Sequence, residues 1–185
     1  MSDLLTRYAG WLAAQAPNTA AAVRPPASDA DIADAERELG AALPASIREL
    51  YRWHDGGPDN SDRALWLTHD FGFLPLETAR EHRRTSREIA EEDFGPEEAD
   101  FYWDRHWFPI GTSWTGDLLV VDCSTSPARG RVSVAGNEGP MASNPVWVDL
   151  NALVGELVGA LENRTPLSGY VPAARDGWLV WEELS

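Results

Sequence analysis

Asp117-Leu118-Leu119-Val120-Val121-Asp122 sets four consecutive aliphatic residues between two aspartates, with turn-forming residues on either side. A short apolar run framed in this way reads as a strand covered on both faces, and therefore as a central one. Upstream, Phe108-Pro109-Ile110-Gly111 reads as its partner, joined to it through a polar turn. Downstream, residues 131–135 alternate enough for a further strand and residues 145–148 for another. Asp149 then caps a helix in which Leu150, Leu153, Val154, Leu157, Val158 and Leu161 fall on one stripe. Past it, the tail Gly177-Trp178-Leu179-Val180-Trp181 is apolar enough to dock on the body as an edge strand.

The N-terminal side is helical. Ser2 reads as the cap of a helix with Leu4, Leu5, Tyr8, Trp11 and Leu12 on one stripe, closed by Pro17. The Ala- and Pro-rich residues 17–27 read as a linker within the domain. Ser28 with Asp31 resembles a capping box, Ile32, Ala35, Glu36 and Leu39 follow at helical spacing, and Gly40 suits the stop. Leu43-Pro44 opens a third helix with Ile47, Leu50, Tyr51 and His54 on one face, which Asp55-Gly56-Gly57 ends. Residues 64–68 and 71–76 read as strands, residues 77–92 as a polar helix, and residues 91–104 as an acidic loop running into aromatic residues.

Helices at both ends with strands between them indicate an α+β fold with a mainly antiparallel sheet. The expectation is one domain over residues 1–185, with its core at 28–162, an N-terminal helix at 3–15 and a C-terminal tail at 163–185.

Charge narrows the partners. Of 185 residues, 30 are acidic and 15 basic, a net charge of −15, and every basic residue is Arg. Such a surface repels nucleic-acid phosphate and anionic lipid, so neither nucleic acid nor membrane is expected as a partner. It keeps a protein in solution and equally attracts basic proteins; both readings fit. The opening residues lack a basic stretch followed by an apolar run, and no stretch has the length of a transmembrane helix, so a cytoplasmic location is expected. Cys123 is the one cysteine, which excludes an internal disulfide.

Catalytic and metal signatures fail one after another. His54, His69, His82 and His106 are scattered, and no zinc spacing joins them. The stretch from Asp55 to Asp62 lacks the alternating ligands, the Gly at 6 and the Glu at 12 of a calcium loop. Ser113, Ser124 and Ser126 sit outside any nucleophile elbow. Gly111-Thr112-Ser113-Trp114-Thr115-Gly116 has neither the Lys nor the following helix of a phosphate cradle. Arg80, Arg83, Arg84 and Arg87 read as partners of Glu77, Glu81, Glu88 and Glu91 along one helix. The expectation is a chain that is not an enzyme and holds no metal or cofactor.

What is left is a surface. Carboxylates stand beside aromatic rings at Trp53 and Asp55, at Asp62 and Trp66, and at Asp100, Tyr102, Trp103 and Asp104. Rings supply buried contact and charges speed encounter, so these residues are the candidates for binding a basic protein. The alternative is that the same rings fill the core beneath a wet rim.

Glu36, Gly40, Leu43-Pro44, the helix from Ile47 to Trp53 and Asp55-Gly56-Gly57 follow one another in an order that resembles the opening of the SMI1/KNR4 (SUKH) family. Phe71-Gly72-Phe73-Leu74-Pro75-Leu76 is similar to that family's strand ending in Pro-Leu. Trp107-Phe108-Pro109-Ile110-Gly111, then Gly116-Asp117 and Val121-Asp122, resemble its Pro-Ile-Gly, Gly-Asp and Asp core. Trp147 to Leu161 is similar to its last strand and helix.

Taken over residues 28–162, the resemblance implies an α+β fold without an active site or cofactor. It gives fold roles to Glu36 (a helix-to-sheet contact), Pro44, Gly57 (a backbone turn), Gly111, Asp117 and Asp122. Many bacterial members of the family resemble immunity proteins that bind and block toxins, so a basic toxin domain is the implied partner. Fungal relatives resemble regulators of cell-wall synthesis and signalling, which implies an intracellular scaffold as the alternative. The acidic-aromatic insertion at 91–107 and the Trp-bearing tail depart from the family pattern.

Overall fold

The aliphatic run forms β3 (Leu118–Asp122), paired antiparallel on one side with β2 (Trp107–Thr112) and on the other with β4 (Val132–Ala135). The computed structural model describes residues 1–58, 63–136 and 146–184. A short β1 (Gly72–Phe73) extends β2 to give a four-stranded antiparallel sheet in the order β1-β2-β3-β4. Leu118, Leu119, Val120 and Val121 are all buried, as a strand run without alternation demands. The register of β2 slips by one residue between Pro109 and Gly111, a bulge where proline cannot donate to the ladder.

Helices cover the sheet. α7 (Leu150–Asn163) starts where the Asp149 carboxylate accepts the Ala152 N–H (2.8 Å), and it buries all six residues of its stripe. It packs on α1 (Ser2–Gln15) and, less extensively, on α4 (Ala45–Trp53). α3 (Asp29–Leu39) carries the expected capping box, with Ser28 Oγ accepting from Asp31 N–H and the Asp31 carboxylate accepting from Ser28 N–H. Gly40 closes it at φ +73°. The α+β fold with its antiparallel sheet thus matches the expectation.

Several elements differ from it. Residues 17–27 are not a plain linker: Pro17–Ala22 is a helix, α2, begun by proline at the position where its missing N–H costs nothing. Ser2 lies inside α1 and caps nothing, its hydroxyl turning instead to Glu49 (3.3 Å). Of the two strands expected at 64–68 and 71–76, Gly72–Phe73 alone joins the sheet, while Trp66 makes an isolated bridge to Gly72. A reversal at Thr68, where Leu67 N–H donates to Phe71 C=O (2.8 Å), shortens both. Within the 145–148 strand, Pro145 lies outside the described residues and Trp147 makes an isolated bridge to Val132. The polar helix runs longer than expected, as α5 (Leu76–Phe94), and the acidic loop contains a helical turn, α6 (Ala99–Tyr102).

The tail is the largest difference. It does not extend the main sheet but folds on itself as the hairpin β5 (Tyr170–Arg175) and β6 (Trp178–Glu183). Leu179 is buried beneath it, and its N–H donates to the Thr19 hydroxyl on α2 (2.8 Å).

Two fully buried tyrosines sit in the core with opposite fates. Tyr8 Oη donates to the Trp66 carbonyl (2.7 Å), whereas Tyr51 Oη has no hydrogen-bond partner. An unpaired buried hydroxyl costs about 1–3 kcal/mol. Tyr51→Phe is therefore expected to raise stability, or at least leave it unchanged, and Tyr8→Phe to lower it by about 1–3 kcal/mol. Urea midpoints of the two variants, measured together, check the opposite signs.

Candidate functional site

The sequence candidates separate when placed on the fold. Trp66 and Trp103 are 7% and 3% exposed, so their rings fill the core and offer little area to a partner. Trp53 is half-buried against Tyr8 and His54. Asp55 also serves the fold: its Oδ1 accepts the Leu76 N–H at the start of α5 (2.7 Å), where Pro75 provides no side-chain cap. Asp62 lies outside the described residues. Tyr102 stacks on Phe94, and Asp104 accepts the backbone N–H of His106 (2.8 Å).

Asp100 is the hub of an ion-pair cluster. Its carboxylate takes Arg105 through Nη2 (2.5 Å) and Arg87 through Nη1. Arg87 also pairs with Glu91 on its own helix, as the sequence suggests, but Arg80 reaches across to Glu38 on α3 and Arg83 to the Arg105 carbonyl (2.8 Å). The basic row of α5 therefore ties that helix to its neighbours. Hydrogen bonds from Arg105, joined by Arg87 and opposed by burial, hold the Asp100 carboxyl below the usual range.

With the folded pKa below the unfolded one, this support is present above an unfolded value of about 4 and is lost as pH falls through the folded value. The expected result is a shallower acid-side loss of stability in Asp100→Asn than in the parent below about pH 4, read from urea midpoints. The pairs are part-exposed, so the effect is modest.

The motif residues have definite mechanical roles. Glu36 Oε1 accepts the Leu43 N–H (2.9 Å), which pins the turn from α3 to α4; it makes a helix-to-loop contact in place of the helix-to-sheet contact expected. Pro44 is the residue before α4, at φ −50°. At Gly57 the constraint is close approach, not the turn expected: a Cβ there would lie 2.6 Å from Leu65 N. Gly111 sits at the bulge, with the Gly72 carbonyl 3.2 Å from where its Cβ would be. Asp122 Oδ1 accepts the Ser124 N–H (2.7 Å) at the turn out of β3.

Asp117 belongs to a small network that braces the β2–β3 turn. Its N–H donates to Ser113 Oγ (3.0 Å), and its carboxylate accepts from the Thr115 hydroxyl (2.7 Å). That turn holds up Trp114, which is 68% exposed. An indole set out in solvent on a firmly bonded turn does no work in the core.

Trp114 stands on one side of a groove of about 470 Å³. Trp66, His69 and Asp70, from the reversal before β1, line it with Trp114, and Tyr170, Val180 and Trp181 of the C-terminal hairpin complete the lining. The His69 ring stacks on Tyr170 (centroids 3.9 Å apart, planes 12° from parallel) and meets Trp181 edge-on. His69 Nε2 lies 2.7 Å from Asp70 Oδ2. Burial lowers the His69 pKa against the opposing pull of Asp70, so the ring is neutral at pH 7 and Nε2–H donates to the carboxylate. Two buried nitrogens near this wall, His69 Nδ1 and Trp181 Nε1, have no partner. Tyr170 pairs with Glu183 across the hairpin, and residues directly opposite share a face, so a second carboxylate belongs to this end.

Sequence reasoning did not single out this groove. It brings together residues 66, 114, 170 and 181, which no local pattern connects. Of its residues, Trp66 was singled out in the sequence beside Asp62; the other readable signal was a large aromatic inside Thr112-Ser113-Trp114-Thr115-Gly116, a stretch whose other residues all favour turns.

The remaining chemistry is sparse. Cys123 is buried and its thiol is pushed up to about 12, chiefly by that burial. Among the described residues, no three His, Cys, Asp or Glu side chains converge as a metal site, and no helix is long and apolar enough to cross a membrane.

Residues 26–156 match the family model described as SMI1 / KNR4 family (SUKH-1). No curated protein matches the chain. The hairpin that walls the groove lies beyond the matched residues.

Proposed function

Given that the chain belongs to the SMI1/KNR4 family (SUKH-1), we propose that it is a non-catalytic protein-binding domain of the immunity type, which neutralises a basic toxin domain by occupying it. The observation that carries this reading is the solvent-open, aromatic-lined groove on a molecule of net charge −15. Aromatic surface provides contact area with little entropy to lose, and the negative field draws a basic partner in. The groove's titratable side chains include His69 and Asp70, which are bonded to each other, and no serine, threonine, cysteine or lysine is among its lining residues. That composition suits recognition better than bond-making.

The test is co-expression with a toxin domain encoded beside this chain. Growth should be restored by the chain, and the isolated pair should dissociate as salt is raised, because the attraction is screened. Growth arrest that persists in the presence of folded chain would remove the immunity role.

A further inference from the structure

The groove is chemically a receptor for a cation. Trp114, Tyr170 and Trp181 line it, with the small exposed part of Trp66, and the Asp70 carboxylate stands in its lining with 53% of the side chain exposed. Among the described residues the ion-pair partner of Asp70 is His69, whose pKa burial lowers, so no permanent cation stands against this carboxylate. No arginine is among the lining residues, although the ion pairs elsewhere among the described residues, that of His106 with Asp104 apart, are made with arginines. Indole and phenol faces attract a cation through their quadrupole, with Trp the strongest of them. A carboxylate beside them adds a charge-assisted acceptor.

Resting on the binding-domain reading above, we infer that the groove seats an arginine side chain of the protein partner, its guanidinium against the exposed Trp114 ring and hydrogen-bonded to Asp70. Arginine suits the site better than lysine for two reasons. Its planar group can stack on a ring while donating in its plane to a carboxylate, which a compact ammonium cannot do. It is also the more weakly hydrated of the two and so leaves water more readily. At about 470 Å³ the groove takes the long side chain together with flanking backbone. One wall, the C-terminal hairpin, lies outside the family match. Partner choice can therefore change through the hairpin while the sheet stays the same.

The experiment follows the nine tryptophan indole N–H signals of the full chain by NMR during titration with a short acetylated Gly-Arg-Gly amide. Parallel titrations use the citrulline and lysine counterparts. The arginine peptide should shift the Trp114 and Trp181 signals with weak, saturable binding, the citrulline peptide should not, and the lysine peptide should bind less tightly. Trp114→Ala and Asp70→Asn, both on exposed side chains, should each weaken arginine binding about ten-fold. Phe101→Ala, at an exposed ring elsewhere, should leave it unchanged.

Equal binding of citrulline, or shifts confined to other tryptophans, overturns the proposal, and so does lysine binding as tight as arginine. The two readings fail separately. Arginine-peptide binding without growth rescue upholds the groove and removes the immunity role. Rescue without arginine-peptide binding does the reverse.

Discussion

Gly56→Ala is expected to cost about 2–6 kcal/mol, enough to unfold much of a domain of ordinary stability. Gly56 has φ +75°, and a Cβ there would lie 2.4 Å from Pro75 N and 2.6 Å from Leu74 C. Both neighbours are backbone, so neither can swing aside. The stretch is held from the other side as well, by Arg24 N–H on the Gly56 carbonyl and Asp55 N–H on that of Pro25. Gly40 separates the two causes. It has nearly the same angle, φ +73°, but nothing within 4 Å of its added Cβ. Gly40→Ala should therefore cost only the left-handed strain, about 1–2 kcal/mol. Equal midpoints for the two variants in urea would show that the crossing at Leu74 and Pro75 yields, and would refute this account of the Asp55-Gly56-Gly57 stop.

Leu179→Ala is expected to cost about 2–5 kcal/mol, concentrated in the hairpin. Leu179 is 1% exposed and lies on the same hairpin face as Trp181 and Tyr170, since alternate residues and cross-strand partners share a face. Removing it takes away the most deeply buried apolar side chain of β6 and leaves Trp181 and the hydrogen bonds to Thr19 and Asn18 to hold the hairpin on the body. Hydrogen exchange should rise in residues 170–183 well before it rises in β2 and β3. Arginine-peptide binding should weaken with it, because Tyr170 and Trp181 lose their fixed positions. Unchanged protection in the hairpin would show that the docking does not depend on Leu179.

Much of the fold was legible because its strongest signals are local. The unbroken apolar run of β3, the stripe of α7 and the Ser28–Asp31 box each fix their element with little help from distant residues. Elements set by tertiary contact were read less well. Residues 17–22 look like linker, yet the hairpin bonds to Asn18 and Thr19 make their helix part of a docking surface. The tail reads as one strand because residues 177–181 are its apolar half, and the pairing half includes Pro172 and Ala173, which carry little strand signal.

The candidate site was legible in kind and, Trp66 apart, not in place. Carboxylates beside rings were the right chemistry to seek, but adjacency in sequence pointed to Asp100, Trp103 and Asp104. There the carboxylates are taken up by Arg87, Arg105 and His106, and the indole of Trp103 is buried. The groove assembles its rings from four separate segments, and only the folded chain brings them together.

Titration calorimetry of the parent and Trp114→Ala against a toxin domain whose growth arrest the chain relieves in the co-expression test bears most directly on the claim that this molecule acts by seating a basic side chain among its rings. A dissociation constant raised about ten-fold or more by the substitution, at unchanged folding stability, is the predicted result. An unaltered constant would place the contact surface elsewhere and contradict the account.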